Sequence, residues 1–394
     1  MNKKSIKDLE LKGKRVLVRV DFNVPLDKDL NITDDNRIKK SLETINYIID
    51  SGGKLLLASH LGRPKGQVKS EFSLKPIASH LAGLLNKDVK MMPDCIGQEV
   101  NSAVNKMQEG QVILLENLRF HPEETKNDPE FAKELASLGE VFVNDAFGTC
   151  HRAHASTEGV THYLESAAGF LVQKEIEYFQ KVLTEPKRPL VFVLGGLKVS
   201  DKIPVIENMI DKADSILIGG AMAYTFMKTQ GLDVGSSLVE EGMKETVERI
   251  LAKAKEKKVE ILLPLDHVVT DKIKEAAEVE TTSDANIGSG WIGVDIGPKT
   301  RELFSARIKQ ASTVVWNGPA GIFENDKFAS GSKALASAIA ESGAVSVIGG
   351  GDTAAAVAKF SLSSKMSHIS TGGGASLEYL EGKVLPGIEA LTDK

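Results

Sequence analysis

AVSVIGGGDTAAAVAKF, residues 344–360, joins an apolar run to an alanine-rich stretch through three glycines. Such a run suits a strand buried on both faces, and the alanines after it suit a helix. Strand, glycine turn and helix in succession build a parallel α/β sheet. The turn also suits an anion, because the first N–H groups of a helix are unpaired and sit at the positive end of its dipole. No lysine follows the glycines as it would in G-x-x-x-x-G-K-[ST]; Asp352 stands there instead. A carboxylate beside a phosphate is repulsive unless a cation such as Mg²⁺ bridges the two. Asp352 or Thr353 is the expected N-cap of the helix.

The same unit recurs in both directions. The runs at 14–20, 53–59, 111–117, 140–146, 189–196, 215–220, 259–269 and 312–318 are apolar, and amphipathic stretches separate them. In NRIKKSLETINYIID (36–50), Ile38, Leu42, Ile45 and Ile49 recur at three- and four-residue spacing, which predicts a helix with one apolar face. The chain has 394 residues, more than one hydrophobic core comfortably serves. A helix with Val172, Ile176, Phe179 and Leu183 on a stripe, stopped by EPKRP, marks the division. The expected organisation is two Rossmann-like α/β domains, 1–170 and 187–378, joined by a helix at 171–186, with the tail 379–394 to be placed.

Composition narrows the function. The net charge of −5 argues against a protein that binds nucleic acid through overall basicity. Two cysteines, Cys95 and Cys150, make no disulfide framework. The N-terminus lacks a signal-peptide core and no run is long enough for a membrane span, so the expected setting is the cytoplasm.

Chemistry in such sheets gathers at the carboxyl ends of the strands. In the first half those ends read RVDFNVP, SHLGRP, ENLRF and FGTCHRAH. They bring Asp21, Asn23, His60, Arg63, Arg119, His151 and Arg152 to one edge, and the turn before the first helix adds Arg37. A lone arginine is most simply a surface ion pair. Several at one edge repel one another unless an anion lies among them, and arginine's fork suits phosphate and carboxylate. His151 and His154 would share a face if 151–154 were helical, but a third metal ligand at suitable spacing is lacking.

In the second half the ends are LGGLKVSDK, IGGAMAYTF, WNGPAGIFE and IGGGDTAAA. Glycine there lets backbone approach a ligand closely. Lys198 and Lys202, four residues apart on an expected helix, would present two cations on one face.

RVDFNVP, SHLGRP, LENLRF, AFGTCHRAH, LGGLKVSDKI, WNGPAGIFE and GGGDTAAA together resemble the motifs of the phosphoglycerate kinase family, in family order from about residue 14 to the C-terminus. The resemblance implies that the first domain binds 3-phosphoglycerate or 1,3-bisphosphoglycerate through Asp21, Asn23, Arg37, His60, Leu61, Gly62, Arg63, Arg119, His151 and Arg152. It implies that the second binds Mg-ADP or Mg-ATP through Lys198, Lys202, Gly219, Gly220, Gly293, Asn317, Glu324, Gly350, Gly351, Asp352 and Thr353, with Glu324 at the ribose and Asp352 at Mg²⁺. Arg37 and Lys198 would stabilise the moving phosphoryl group as the domains close, and the tail would return to the first domain. A monomer is expected. Two positions depart from the family pattern: Cys150 replaces an alanine of GTAHRAH, and Leu197 the alanine of GGAK. A thiol beside the substrate arginines would make activity sensitive to alkylation.

Two rivals fit less well. A nicotinamide-dependent dehydrogenase needs G-x-G-x-x-G after an early strand, which here ends in DFNVP. A non-enzymatic two-domain binding protein for a phosphorylated solute would, in its extracellular form, need a secretion signal and would not need a second, metal-type site.

Overall fold

The computed structural model describes residues 2–274 and 278–394. The chain divides into two compact units, Met1–Glu177 with Val384–Lys394, and Tyr178–Lys383.

The first unit is built on β1 (Arg15–Val20), β2 (Lys54–Ala58), β3 (Val89–Met91), β4 (Val112–Leu114), β5 (Val141–Asp145) and β6 (Ser166–Ala168). All pair in parallel, in the order β3-β4-β2-β1-β5-β6. Helices between successive strands bury the sheet, which is why the strands are apolar along their whole length. Helix Asn36–Asp50 buries Ile38, Ile45, Ile48 and Ile49 against it, while Leu42 packs at the margin. The chain goes from β1 to β2 on one side and returns to β5 on the other, so a topological switch point opens between β1 and β5. Helix Phe170–Leu183 carries the chain from the first unit into the second. The last segment is bonded to the first unit: Gly387 N–H donates to Cys150 O at 2.9 Å and Asn144 Nδ2 to Gly387 O at 2.8 Å.

The second unit holds β7 (Leu190–Leu194), β8 (Ser215–Ile218) and β9 (Glu260–Leu262), then β10 (His267–Thr270), β11 (Val279–Thr281) and β12 (Ile292–Ile296), then β13 (Thr313–Asn317), β14 (Val345–Gly349) and β15 (His368–Ile369). Its main sheet is again six-stranded and parallel, in the order β15-β14-β13-β7-β8-β9. The switch point lies between β7 and β13. The strands β11-β10-β12 form a separate antiparallel sheet.

Three local expectations are corrected. The run 259–269 is not one strand. Pro264 cannot donate to a ladder, and Asp266 accepts the N–H groups of Lys299 at 2.9 Å and Thr300 at 2.8 Å, so the chain leaves β9 and restarts as β10 in the other sheet. Residues 195–202 are irregular and the helix begins at Ile203, so Lys198 and Lys202 do not share a helix face. Residues 151–154 are not helical either. No helix among the described residues is long and apolar enough to cross a membrane.

Candidate functional site

Each unit carries its own site at the switch point of its sheet. In the first, Arg37 lies within the first turn of helix Asn36–Asp50 and not in the turn before it, and its Nη1 donates to Asp21 Oδ2 at 2.7 Å. Asn23 Oδ1 accepts the Gly62 N–H at 2.8 Å, and Arg119 Nη1 donates to Gly62 O at 2.9 Å. Gly62 sits at φ 62°, and a Cβ there would come within 2.4 Å of the Phe72 ring, so only glycine fits. Leu61 differs from its neighbours. Its side chain is buried in the core, and its carbonyl accepts from Asn117 Nδ2 at 2.8 Å. Arg63 and Arg152 are exposed and line, with Arg119 and His154, an adjoining pocket of about 540 Å³. His151 is half-buried beside Arg152.

This group of cations is unbalanced. Burial, then the charges of Arg19 and Arg152, pull Arg119 down to about 10 despite opposing help from Glu124 and Asp21. Burial and the neighbouring Arg19, Arg119, Arg152 and His151 bring His154 down to about 3. His60 is pushed well below its ordinary value by burial and by Arg19, Arg119, Arg37 and His154. Arg119 Nε is buried without a hydrogen-bond partner among the described residues. An anion placed here would relieve all of these costs together.

Two members were not visible from sequence. Arg19 lies fully buried inside β1, and Glu124 fully buried in the short helix Pro122–Lys126. A hint existed: an arginine within an apolar strand is almost never buried unless paired. Asp94, Cys95 and His121 have metal-ligand spacing. The Asp94 carboxylate is already occupied there, taking His121 Nε2 at 2.6 Å and the Cys95 N–H at 2.6 Å. Cys150 is wholly buried and its thiol is pushed up to about 12, chiefly by desolvation, which corrects the expectation of a reactive thiol.

In the second unit, strand ends press together so closely that side chains are excluded. A Cβ on Gly195 would lie 2.0 Å from Pro319 O, and one on Gly220 would lie 2.6 Å from Gly196 N. The resulting pocket of about 850 Å³ is lined by Lys202, Gly220, Gly293, Asn317, Glu324 and Gly350–Thr353, among others. Leu197, Leu238, Ile273 and Phe323 give it an apolar face that suits an aromatic base. Leu197 is 68% exposed at the edge of that face. Gly219 is buried behind the wall, where its N–H donates to Leu194 O at 2.7 Å. Lys198 is exposed on the loop beside the pocket, where, against desolvation, its charge adds to the Ser200 and Val199 hydrogen bonds that lower Glu240. Lys202 Nζ donates to Asn317 Oδ1. Burial lowers the Lys202 pKa, while Asp201, Asp352 and Glu381 oppose that.

The opening glycine turn is resolved in detail. Gly350, at φ 89°, is the N-cap of helix Gly351–Lys359 and makes no side-chain cap bond, so neither Asp352 nor Thr353 is the cap. Both lie in the first turn. Thr353 Oγ1 accepts the Gly318 N–H at 2.7 Å. Asp352 is exposed and takes no hydrogen bond among the described residues, so its oxygens face the pocket free for a hard cation.

Comparison with known proteins gives one answer. The phosphoglycerate kinase family model matches residues 6–383. Phosphoglycerate kinase of Pelodictyon phaeoclathratiforme is 57% identical over 100% of both chains. That of Clostridium botulinum is 55% identical over 100% of this chain and 99% of its own. Among solved structures, phosphoglycerate kinase from Coxiella burnetii superposes with a TM-score of 0.91 at 43% identity, covering 98% of each chain. The enzyme from Pyrococcus horikoshii gives 0.81 at 34% identity, with the same coverage. Two six-stranded parallel sheets, a cationic edge on one, a glycine-walled pocket on the other and full-length similarity lead to one conclusion: the chain belongs to the phosphoglycerate kinase family.

Proposed function

We propose that this chain catalyses the reversible transfer of a phosphoryl group from 1,3-bisphosphoglycerate to Mg-ADP, giving 3-phosphoglycerate and ATP in glycolysis. The observation that carries the reading is the convergence of Arg37, Arg119 and His60 on one sheet edge, with Arg119 Nε buried and unpartnered among the described residues; Asp21 and Glu124 offset these charges only in part. Asp21, Asn23, Arg37, His60, Gly62, Arg63, Arg119, His151 and Arg152 would bind the phosphoglycerate. Leu61 would act through its packing and its backbone.

In the second unit, Lys198, Lys202, Asn317 and the Gly350–Thr353 turn would hold the nucleotide phosphates. Gly219, Gly220 and Gly293 would let the backbone approach the nucleotide, and Glu324 would reach the ribose. Asp352 would hold Mg²⁺, which supplies neutralisation of phosphate charge. Its free, exposed carboxylate at a helix N-terminus supports that assignment.

The acceptor in the ATP-consuming direction is a carboxylate, ionised at neutral pH, so the chemistry needs no general base. Alignment and stabilisation of charge on the transferring group must do the work, with Arg37 and Lys198 as the donors. In-line transfer entails closure of the two units over their ligands, which also expels water that would hydrolyse an acyl phosphate. The two free buried thiols suit a reducing compartment, and we assign the activity to a cytoplasmic monomer.

The test is ATP consumption by the purified chain. Consumption that requires both 3-phosphoglycerate and Mg²⁺ is expected. Well-folded protein that consumes no ATP with both present would overturn the reading.

A further inference from the structure

We infer that Arg19 is a positioning residue: it holds His60 as the neutral tautomer protonated on Nε2, so that the ring meets the bound anion as a hydrogen-bond donor. The inference rests on the phosphoglycerate site proposed for the first unit.

Arg19 is wholly buried in β1, and each of its three guanidinium nitrogens has a partner. Nε donates to Ser156 Oγ at 2.8 Å, Nη1 to Val20 O, and Nη2 lies 3.1 Å from His60 Nδ1. A guanidinium has five N–H groups and no acceptor. The contact with His60 therefore has one direction, with Nδ1 accepting. A neutral imidazole whose Nδ1 accepts carries its proton on Nε2. His60 Nε2 has no partner among the described residues, which leaves that N–H for a ligand.

Arg19 is itself locked. Ser156 Oγ, having accepted from Arg19, donates to Glu124 Oε1 at 2.6 Å, and the Ser156 N–H donates to Glu124 Oε2 at 2.9 Å. Glu124 thus anchors a relay through Ser156 and Arg19 to His60. The competitor is Asp21, whose Oδ1 lies 4.0 Å from His60 Nδ1. Were Arg19 absent, Nδ1–H could donate to Asp21, and Nε2 would turn a lone pair toward the anion. Arg37, Arg119 and His154 also face the ring, and with Arg19 they disfavour imidazolium, whereas Asp21 favours it. The cations and burial prevail, so the ring stays neutral and its tautomer decides whether it attracts or repels the ligand.

The test begins with ¹⁵N NMR of histidine-labelled, ligand-free wild-type protein at neutral pH, which needs no variant. A pyridine-type Nδ1 and a protonated Nε2 at His60 are expected. A proton on Nδ1, or a ring that titrates near its ordinary value of about 6.5, overturns the inference. In Arg19→Met the Nε2–H signature should be lost, whereas Arg19→Lys, whose ammonium can still donate to Nδ1, should keep it; if the methionine variant does not fold, the wild-type spectrum alone decides the tautomer. By calorimetry with 3-phosphoglycerate, Arg19→Met and His60→Ala should each weaken binding about 10- to 100-fold, the loss of one charge-assisted hydrogen bond. The double variant should bind no worse than His60→Ala alone, because Arg19 acts through that ring. Losses that simply add would overturn the role. Wild-type protein that binds no 3-phosphoglycerate would overturn the functional reading and His60's place in it, a failure distinct from a wrong tautomer.

Discussion

The hydroxyl of Thr353 accepts the N–H of Gly318 at 2.7 Å, tying the first turn of one helix to the glycine end of a neighbouring strand. Both groups are buried, and Gly318 sits at φ 97° with its carbonyl accepting from Trp316 Nε1 at 2.7 Å. Thr353→Val keeps the shape and removes the acceptor. It leaves a buried N–H unpaired, which costs about 1–3 kcal/mol. Urea unfolding should show a lower midpoint with an unchanged slope. ADP should bind roughly tenfold more weakly, since about 1.4 kcal/mol of misalignment suffices for that. Thr353→Ser should restore most of both, and a serine variant as weak as valine would show that the hydroxyl is not the cause.

Neither cysteine should react in the native protein. Cys95 and Cys150 are both 0% exposed. Burial raises both thiols, Cys95 well above its ordinary value and Cys150 to about 12. The thiolate is the nucleophile, so almost none is present at neutral pH. Iodoacetamide should leave the mass and the turnover unchanged until denaturant is added, when two adducts should appear. An adduct on Cys150 under native conditions would mean that the loop around it opens.

The pattern of strand ends was readable because each signal is local. A run of apolar residues ending in glycine, arginine or aspartate names both the strand and the edge at which its chemistry lies. Asp21, Asn23, Arg37, Gly62 and Arg119 fall into one bonded series for that reason, joined where the Asn23 N–H donates to Asp21 Oδ1 at 3.3 Å. What stayed hidden depends on partners distant in the chain. Arg19 is 137 residues from Ser156, and no periodicity announces that pairing. The break at Pro264 was legible in principle, since proline within a run demotes a strand, but the direction taken afterwards depends on Asp266 finding Lys299 and Thr300. The turn before Ile203 looked helical by spacing alone. There the strand ends pack so tightly that a Cβ on Gly195 would lie 2.0 Å from Pro319 O.

Asp145 predicts a pH dependence of stability. It is buried beside Gly169, its Oδ1 accepts the Leu171 N–H at 3.0 Å, and desolvation raises its pKa to about 7. The folded state therefore holds the proton that the unfolded chain releases near the ordinary value of 3.8. Between those two values the native state binds more protons than the unfolded one, so this group's contribution to stability falls as pH rises. The loss approaches at most about 1.4 kcal/mol per pH unit. Asp145→Asn keeps the shape without the charge. Its stability should gain on wild type as the pH rises from about 4 to about 7, measured by urea unfolding at several pH values. Parallel curves for the two proteins would show that Asp145 is ionised throughout.

Arg37 should matter to turnover far more than to folding. Its side chain is 41% exposed, and its ion pair with Asp21 is the kind worth about 0–1 kcal/mol. Arg37→Ala should therefore unfold within about that margin of wild type. Its proposed task is different: to meet charge that develops on the transferring phosphoryl group. Losing one such donor typically lowers the rate about 10²–10³-fold. A donor used in the transition state lowers kcat and leaves KM for 3-phosphoglycerate comparatively unmoved. Arg37→Lys is the informative companion, because a point charge cannot reproduce the two parallel bonds of the guanidinium fork. It should recover part of the rate and not all of it. If Arg37→Ala kept its turnover within about threefold of wild type, against that expected loss, Arg37 would be a binding-edge residue, and the stabilising charge would have to come from Lys198 and the helix N–H groups of the second unit.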